Sequence, residues 1–433
     1  MKKILHLCLL ITFLLSACDK KDEIAPGDRP DERLNQTLSD YKSQLVNAEN
    51  GWKAVLYPQG GSAYSFFIKF NANDRLSMLS DINASSAATS LESTYRLKAM
   101  QQPALIFDTY NYMHILADPD PRKSNGEVGA GKYSDFEFSF ESVSPETITL
   151  KGNLQGSRLV LTKATKDEAD NYIKRIAERA KAFESINNFT TYFKRLVIGN
   201  ASFDVSVDTN LREITLTYFE GETAKTFTTG YYYTENGLAF LTPFSVGGAN
   251  ITGLNNIQFN TNNRNISFTA NNVAGSIQES ARPAKIDVQG ARNFFNASGE
   301  DYWVAETGFT VNGVPDALKV SSITNFYFIA LWPKYGTSNG RTYDLFGVVT
   351  LNPSTSKPEL NFGPAAVSSL TSDGRIVYSY LGMLGTQPAQ AEPIITPTRE
   401  LWTDTQGFYV VTTQYGVDLV SAKDGKSWIN LFK

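Results

Sequence analysis

The sequence predicts a mainly β protein in which two consecutive helix-plus-antiparallel-meander units are followed by a C-terminal β-rich block. Three observations carry that prediction. Short runs rich in β-branched and aromatic residues recur from Trp52 to the end, separated by turn residues. Two amphipathic segments of helical period interrupt them, one beginning at Asp31 and one at Thr165. Composition agrees, with 12% aromatic residues and 19% charged residues, below the ~25% usual in soluble domains.

The first segment is a leader. Lys2 and Lys3 precede an apolar run from Ile4 to Leu15 that is too short to span a bilayer, the pattern of a secretion signal over residues 1–17. Leu15-Ser16-Ala17-Cys18 has the branched-small-small-Cys form of a bacterial lipobox, so Cys18 is the expected lipidation site and new N-terminus. Buried acyl methylenes contribute about 0.8 kcal/mol each, which makes an acylated cysteine a sufficient membrane anchor without a spanning helix. Residues 18–30, charged and broken by Pro and Gly, read as a tether.

The first unit, residues 31–163, opens with Leu34, Leu38, Tyr41 and Leu45 on one helical stripe that Gly51 is placed to end. Eight strand-like runs follow, the sixth and clearest being "DFEFSFES", where Phe136, Phe138 and Phe140 alternate with polar residues. The fifth run, "ALIFDTYNYMHIL", reads as one strand with Tyr110, Tyr112 and His114 on a common face. Short connections between the runs imply antiparallel neighbours.

The second unit, residues 164–282, begins with a capped helix. Thr165 and Glu168 have capping-box spacing, Asp167 and Asp170 crowd the positive end, and Tyr172, Ile173, Ile176, Ala180 and Phe183 form the apolar face. Its strands repeat the succession of the first unit, with "QQPALIFDTY" and "TENGLAFLTPF" at equivalent positions. The third block, residues 283–433, continues with seven strand-like runs, and "TQPAQAEPIITPTRE" reads as a Pro-rich connection within it.

The inventory of reactive side chains is short. Removing residues 1–17 removes His6 and Cys8, and acylation consumes Cys18, which leaves His114 as the single histidine and no thiol. That excludes cysteine nucleophiles, redox dithiols and Cys/His zinc sites. The formal charge of −4 gives no footprint for nucleic acid. "GTSNG", Gly336 to Gly340, matches a nucleophile-elbow string, but a strand follows it where a helix is required, so a tight turn is expected. "GEVGAG", Gly126 to Gly131, likewise precedes a strand and offers no helix N-terminus to a phosphate.

Two places remain as candidate sites. Asp118, Asp120, Asn125, Glu127 and Asp135 supply hard oxygens along a Gly-rich segment, a candidate calcium loop that departs from the EF-hand pattern at Arg122 and Lys123. Beside it, Tyr110, Tyr112 and His114 form a candidate ligand-binding wall. Paired carboxylates are the one catalytic scheme the composition allows, with Asp108, Glu137, Asp344 and Asp404 as candidates. Aromatic residues offer the alternative of stacking on sugar faces, through Trp52, Tyr231 to Tyr233, Trp303, Trp332 and Trp402, most of them expected in the core.

"NAENGWKAVLYP", the run "STYRLKA" to "HILADPD", and "YSDFEFSF" with "ITLKG" resemble Bacteroidetes surface lipoproteins of the domain-of-unknown-function family numbered 4302, most specifically from Glu49 to Leu161. "DKKDE" after Cys18 resembles the export tag such lipoproteins carry to the outer face of the outer membrane. The resemblance implies a neighbouring TonB-dependent transporter with its lid lipoprotein and brings no catalytic residues. The expectation is therefore a surface-anchored, non-enzymatic module that binds a glycan or protein for nutrient uptake. A carboxylate-based glycan hydrolase is the alternative.

Overall fold

The computed structural model describes residues 30–433 apart from 222, 247, 248 and 298–300. The expected signal segment, the expected lipidation site Cys18 and the expected tether, up to residue 29, lie outside the described residues. Among the described residues no helix is long and apolar enough to cross a membrane.

Alternation closes the first unit into a barrel. Helix α1 (Pro30–Val46) leads into eight antiparallel strands running from β1 (Trp52–Tyr57) to β8 (Arg158–Lys163), and β1 pairs with β8 to complete the ring. Every second residue points inward, so Trp52, Phe66, Ile68, Tyr95, Phe107, Phe138, Leu150 and Leu161 fill the interior. Each such side chain contributes roughly 1.5–3 kcal/mol on burial. The helix ends at Val46, earlier than Gly51, and its stripe packs through Leu45 and through Tyr41, whose ring stacks on Phe140 at 4.3 Å.

Helix α5 (Lys166–Glu184) follows three short helices, α2 (Ala84–Ala88), α3 (Tyr112–Ala117) and α4 (Pro121–Ser124). Its capping box is present in full: the Thr165 hydroxyl accepts from the Glu168 N–H while the Glu168 carboxylate accepts from the Thr165 N–H. Tyr172, Ile173, Ile176 and Phe183 bury its apolar face against the second barrel. That barrel runs from β9 (Phe193–Ile198) to β16 (Val273–Ser280) and closes by pairing those two strands. The fifth strands are β5 (Pro103–Phe107) and β13 (Gly237–Val246), so the two segments aligned by sequence occupy equivalent positions.

A buried ion pair joins the barrels. Arg212, at the turn between the second and third strands of barrel two, reaches into the mouth of barrel one, where its guanidinium donates to Ala63 O and Asp81 Oδ2, both at 3.0 Å, and to Asp81 O at 2.5 Å. It also lies over the Tyr64 ring at 4.2 Å.

The C-terminal block is a nine-stranded antiparallel sheet that curls round on itself, because β17 (Trp303–Ala305) meets β25 (Ser427–Phe432) at Val304 and Phe432. Between them run β19 (Phe326–Ser338), β20 (Arg341–Leu351), β21 (Pro358–Leu370), β22 (Arg375–Gly385), β23 (Phe408–Thr412) and β24 (Gly416–Ser421). The hairpin of β19 and β20 turns on Asn339 and Gly340, both at positive φ, so the elbow-like string is a tight turn. Two helices were not expected there, α6 (Val288–Phe295) and α7 (Glu392–Trp402). The second replaces the Pro-rich connection: Pro393 sits in the first turn, where its missing N–H costs nothing, and Ile395 and Trp402 anchor the helix in the core.

Candidate functional site

The predicted ligand wall is built differently from the expectation. The strand β5 stops at Phe107, and residues 112–117 form helix α3 because Asn111 caps it: the Asn111 side chain accepts from the Met113 N–H, and the His114 ring accepts from the Asn111 N–H. Helical geometry separates the three residues. Tyr110 stacks on His114 at 5.5 Å, and Phe136 stacks on the opposite face of His114 at 4.4 Å, giving a three-ring pile with Tyr110 and Phe136 exposed. Tyr112 turns away, donates its hydroxyl to Thr89 O and packs against the barrel core. Phe136 had been expected inside. It precedes the start of β6 (Glu137–Val143) and lies outside the barrel.

The candidate calcium loop does not assemble. Among the described residues no group of three or more His, Cys, Asp or Glu side chains converges on a common point. The physical reason is that the carboxylates are already engaged by donors within the protein. Asp135 accepts from the N–H groups of Leu154, Gln155 and Ser157, and Asp118 accepts from Tyr110 Oη, Lys123 Nζ and the Asp120 N–H. Asp120 caps α4 and forks with Arg122, and Glu127 accepts from Tyr133 Oη. Asn125 takes a left-handed conformation at the end of α4, with its carbonyl bonded to Lys132 Nζ at 2.9 Å. These are loop-fixing contacts, and they brace the ring pile beside them.

The four candidate acids are split. Asp108 pairs with Arg96, and Glu137 stands on the outer wall of β6, both in barrel one. Asp344 accepts from the Lys334 N–H and Asp404 faces Lys423, both in the C-terminal block. A different set of carboxylates does share a concavity. A cavity of about 720 Å³ opens between the outer wall of barrel two and the C-terminal sheet, with Asp204, Asp287 and Asp418 in its walls beside Tyr192, Phe219, Tyr409 and Trp428. Burial pushes the carboxyl groups of Asp204 and Asp418 up, and burial together with Asp418 pushes Tyr192 far up. All three acids are engaged: Asp204 by Arg195 and the Ala284 N–H, Asp418 by Tyr192 Oη at 2.7 Å and Asn430, and Asp287 by the Gly290 N–H that it caps.

A run of contiguous, mostly half-buried aromatic rings lies on the C-terminal sheet. Ile329 and Leu331 point into the core, so Phe328 and Trp332 face outward along β19. Tyr302 fits between them, at 5.9 Å from Phe328 and 5.0 Å from Trp332. The series extends from Phe328 to Tyr327 at 5.2 Å, from Trp332 to Tyr335 at 5.2 Å, and on to Tyr343 at 6.1 Å. Small residues make the rings lie low. Ala330 is buried on that outward face, and a Cβ at Gly336 would meet Tyr343 Oη at 2.8 Å. The result is a belt of six contiguous rings, where an outer barrel wall ordinarily carries polar residues. Of the aromatics singled out in sequence, Trp332 belongs to the belt, whereas Trp52, Trp402, Tyr231 and Tyr233 are core.

These features define a tandem up-and-down β-barrel protein with a third, curled sheet. The model of "Domain of unknown function (DUF4302)" matches residues 27–260, more than half of the chain, and the chain belongs to that family. The match takes in all of barrel one and barrel two as far as Asn260. No curated protein matches the chain. Among solved structures, the octameric penicillin-binding protein homologue from Pyrococcus abyssi aligns at 11% identity with a TM-score of 0.16, over 38% of this chain and 41% of that chain. The chain thus spans about two fifths of that protein, at a similarity too slight to bear on the fold.

Proposed function

We propose that the chain is a lipid-anchored, non-enzymatic glycan-binding module on the outer face of the outer membrane, working with a TonB-dependent transporter and its lid lipoprotein in nutrient uptake. The observation that carries this reading is the aromatic belt. A pyranose presents an apolar C–H face that stacks on such rings, and a series of rings in contact suits a chain of sugars better than a single small solute. The lipobox ending at Cys18 supports the anchor. Isothermal titration of the chain with neutral oligosaccharides tests the reading. Tyr302→Ala interrupts the belt at its centre and is expected to weaken binding by at least about tenfold, the effect of losing one good contact. Titrations that show no saturable heat with any glycan would overturn it.

One observation favours a second reading, a carboxylate-based glycan hydrolase. Asp204 and Asp418 line one cavity, and both are shifted toward the neutral acid by burial, the state a general acid needs. Reducing-sugar release from a glycan, lost in both Asp204→Asn and Asp418→Asn, would support it. Intact glycan after prolonged incubation would end it.

A further inference from the structure

We infer that the ring pile on barrel one, Tyr110–His114–Phe136, is a second and separate saccharide subsite that recognises a neutral sugar through the His114 Nε2. His114 is the only histidine among the described residues, and the fold commits one of its two ring nitrogens. Its Nδ1 lies 3.2 Å from the Asn111 backbone nitrogen, a donor, and 3.1 Å from the Asn111 side-chain oxygen, an acceptor. Nδ1 is therefore engaged by Asn111 in either tautomer, which leaves Nε2 to meet a ligand, as donor in one tautomer and as acceptor in the other. Nε2 has no protein partner among the described residues and is not sealed from solvent. The chain thus holds a fixed imidazole nitrogen without a protein partner at the edge of a flat aromatic pile.

Flat faces and polar edges together define the ligand class. Tyr110 is 56% exposed and Phe136 36% exposed, so each offers an apolar face beyond the one that covers His114. Around the rim, Tyr110 Oη donates to Asp118 Oδ2 at 3.0 Å, and Lys123 reaches the same oxygen at 3.3 Å. The charges cancel locally, since Lys123 answers Asp118 and Arg122 answers Asp120, while burial keeps the imidazole neutral. An ionic ligand would find no unmatched counter-charge. A pyranose fits on both counts, with a C–H face for the ring and hydroxyls that can accept from or donate to Nε2 in either tautomer and donate to the Asp118 carboxylate.

The site stands apart from the belt, so the two are tested separately. The chain expressed from residue 19 keeps every described element, and its single imidazole gives one set of long-range ¹H–¹⁵N correlations. Cellohexaose, laminarihexaose and mannohexaose are each titrated to ~10 mM, a range that covers weak single-site binding. A saturable shift of the His114 signals with at least one of them is expected. That shift should persist in Tyr302→Ala and weaken about tenfold in Tyr110→Ala, an exposed position whose loss leaves the Asn111 cap intact. Phe136→Ala serves as the second variant and should weaken it as well. His114 signals that stay still with all three sugars, or that shift in both Tyr110→Ala and Phe136→Ala as strongly as in the unsubstituted chain, overturn the subsite. Loss of the shift in Tyr302→Ala would show that it reports the belt, and overturns the subsite equally.

Discussion

Replacing Arg212 with Met removes the ion pair that joins the two barrels, and its cost can be worked from the geometry. Arg212 is 4% exposed and Asp81 5% exposed, with Nη1 and Oδ2 3.0 Å apart. At an effective dielectric of 20 their attraction is about 5 kcal/mol, which roughly offsets the several kcal/mol needed to desolvate each ion. The intact pair is therefore near neutral in net worth, whereas Arg212→Met strands a buried carboxylate and two carbonyls. The expected loss is roughly 3–5 kcal/mol, a large part of a typical folding free energy. Replacing both residues, as in Asp81→Leu with Arg212→Met, should recover most of it, giving a strong coupling in a double-mutant cycle. The loss also carries a pH signature. Burial raises the Asp81 carboxyl and the guanidinium pulls it down, so without Arg212 it rises further. A raised folded-state value means stability that is present at low pH and lost as pH rises through it. The deficit of Arg212→Met should therefore be smaller at pH 5 than at pH 8. Guanidinium denaturation monitored by tryptophan fluorescence and circular dichroism measures all of this. A single-variant loss below about 1 kcal/mol, or a double variant as unstable as the summed singles, would refute the reasoning.

Three further outcomes follow from other parts of the fold. Gly152→Ala should cost about 2 kcal/mol or more in denaturation, because its Cβ would fall 2.0 Å from Asp135 Oδ2 and three backbone N–H groups hold that carboxylate in place. Burial depresses the His114 value below its ordinary 6.5, so the stability it contributes is present above that pH and lost as pH falls through the lower folded value. Imidazole NMR should show a midpoint below that of an unfolded peptide, and Phe136→Ala, which uncovers the ring, should move it upward. Tyr192→Phe removes the 2.7 Å bond to Asp418 at the cavity wall and should cost about 1–2 kcal/mol in thermal denaturation, with the Asp418 carboxyl rising further for want of its donor.

The barrels were legible in sequence where one face is wet and one is dry. All eight strands of barrel one follow from alternation and turn residues, and the helix after it follows from Thr165 and Glu168. What was missed has physical causes. β9, "FKRLVI", buries every third residue with a pair of partly buried ones between, and β16, "VAGSIQES", is built mostly of small and polar residues, so neither shows clean alternation. β21 carries Pro358 and Pro364, which argue against a strand although it pairs on both sides with one irregularity in each ladder. At residues 110–116 an aromatic run has strand-like composition, and the Asn111 cap overrides it. The candidate site was legible only in part. Tyr110 and His114 were singled out together, but Phe136 joins them through tertiary packing across 22 residues. The belt needs a bulged strand, Tyr302 inserted from a neighbouring strand's entry, and Gly336 beneath Tyr343, none of which has a local signature. The calcium expectation failed because counting oxygens ignores the donors that the fold supplies to them.

Binding without turnover is the central claim, and one titration measures both. The chain from residue 19 is titrated with each neutral hexaose by calorimetry, and the cell contents are then analysed for chain length. A saturable isotherm that Tyr302→Ala weakens at least about tenfold is expected, with the hexaose recovered whole. Shortened oligosaccharides in the cell, or an isotherm unchanged by Tyr302→Ala, would contradict it.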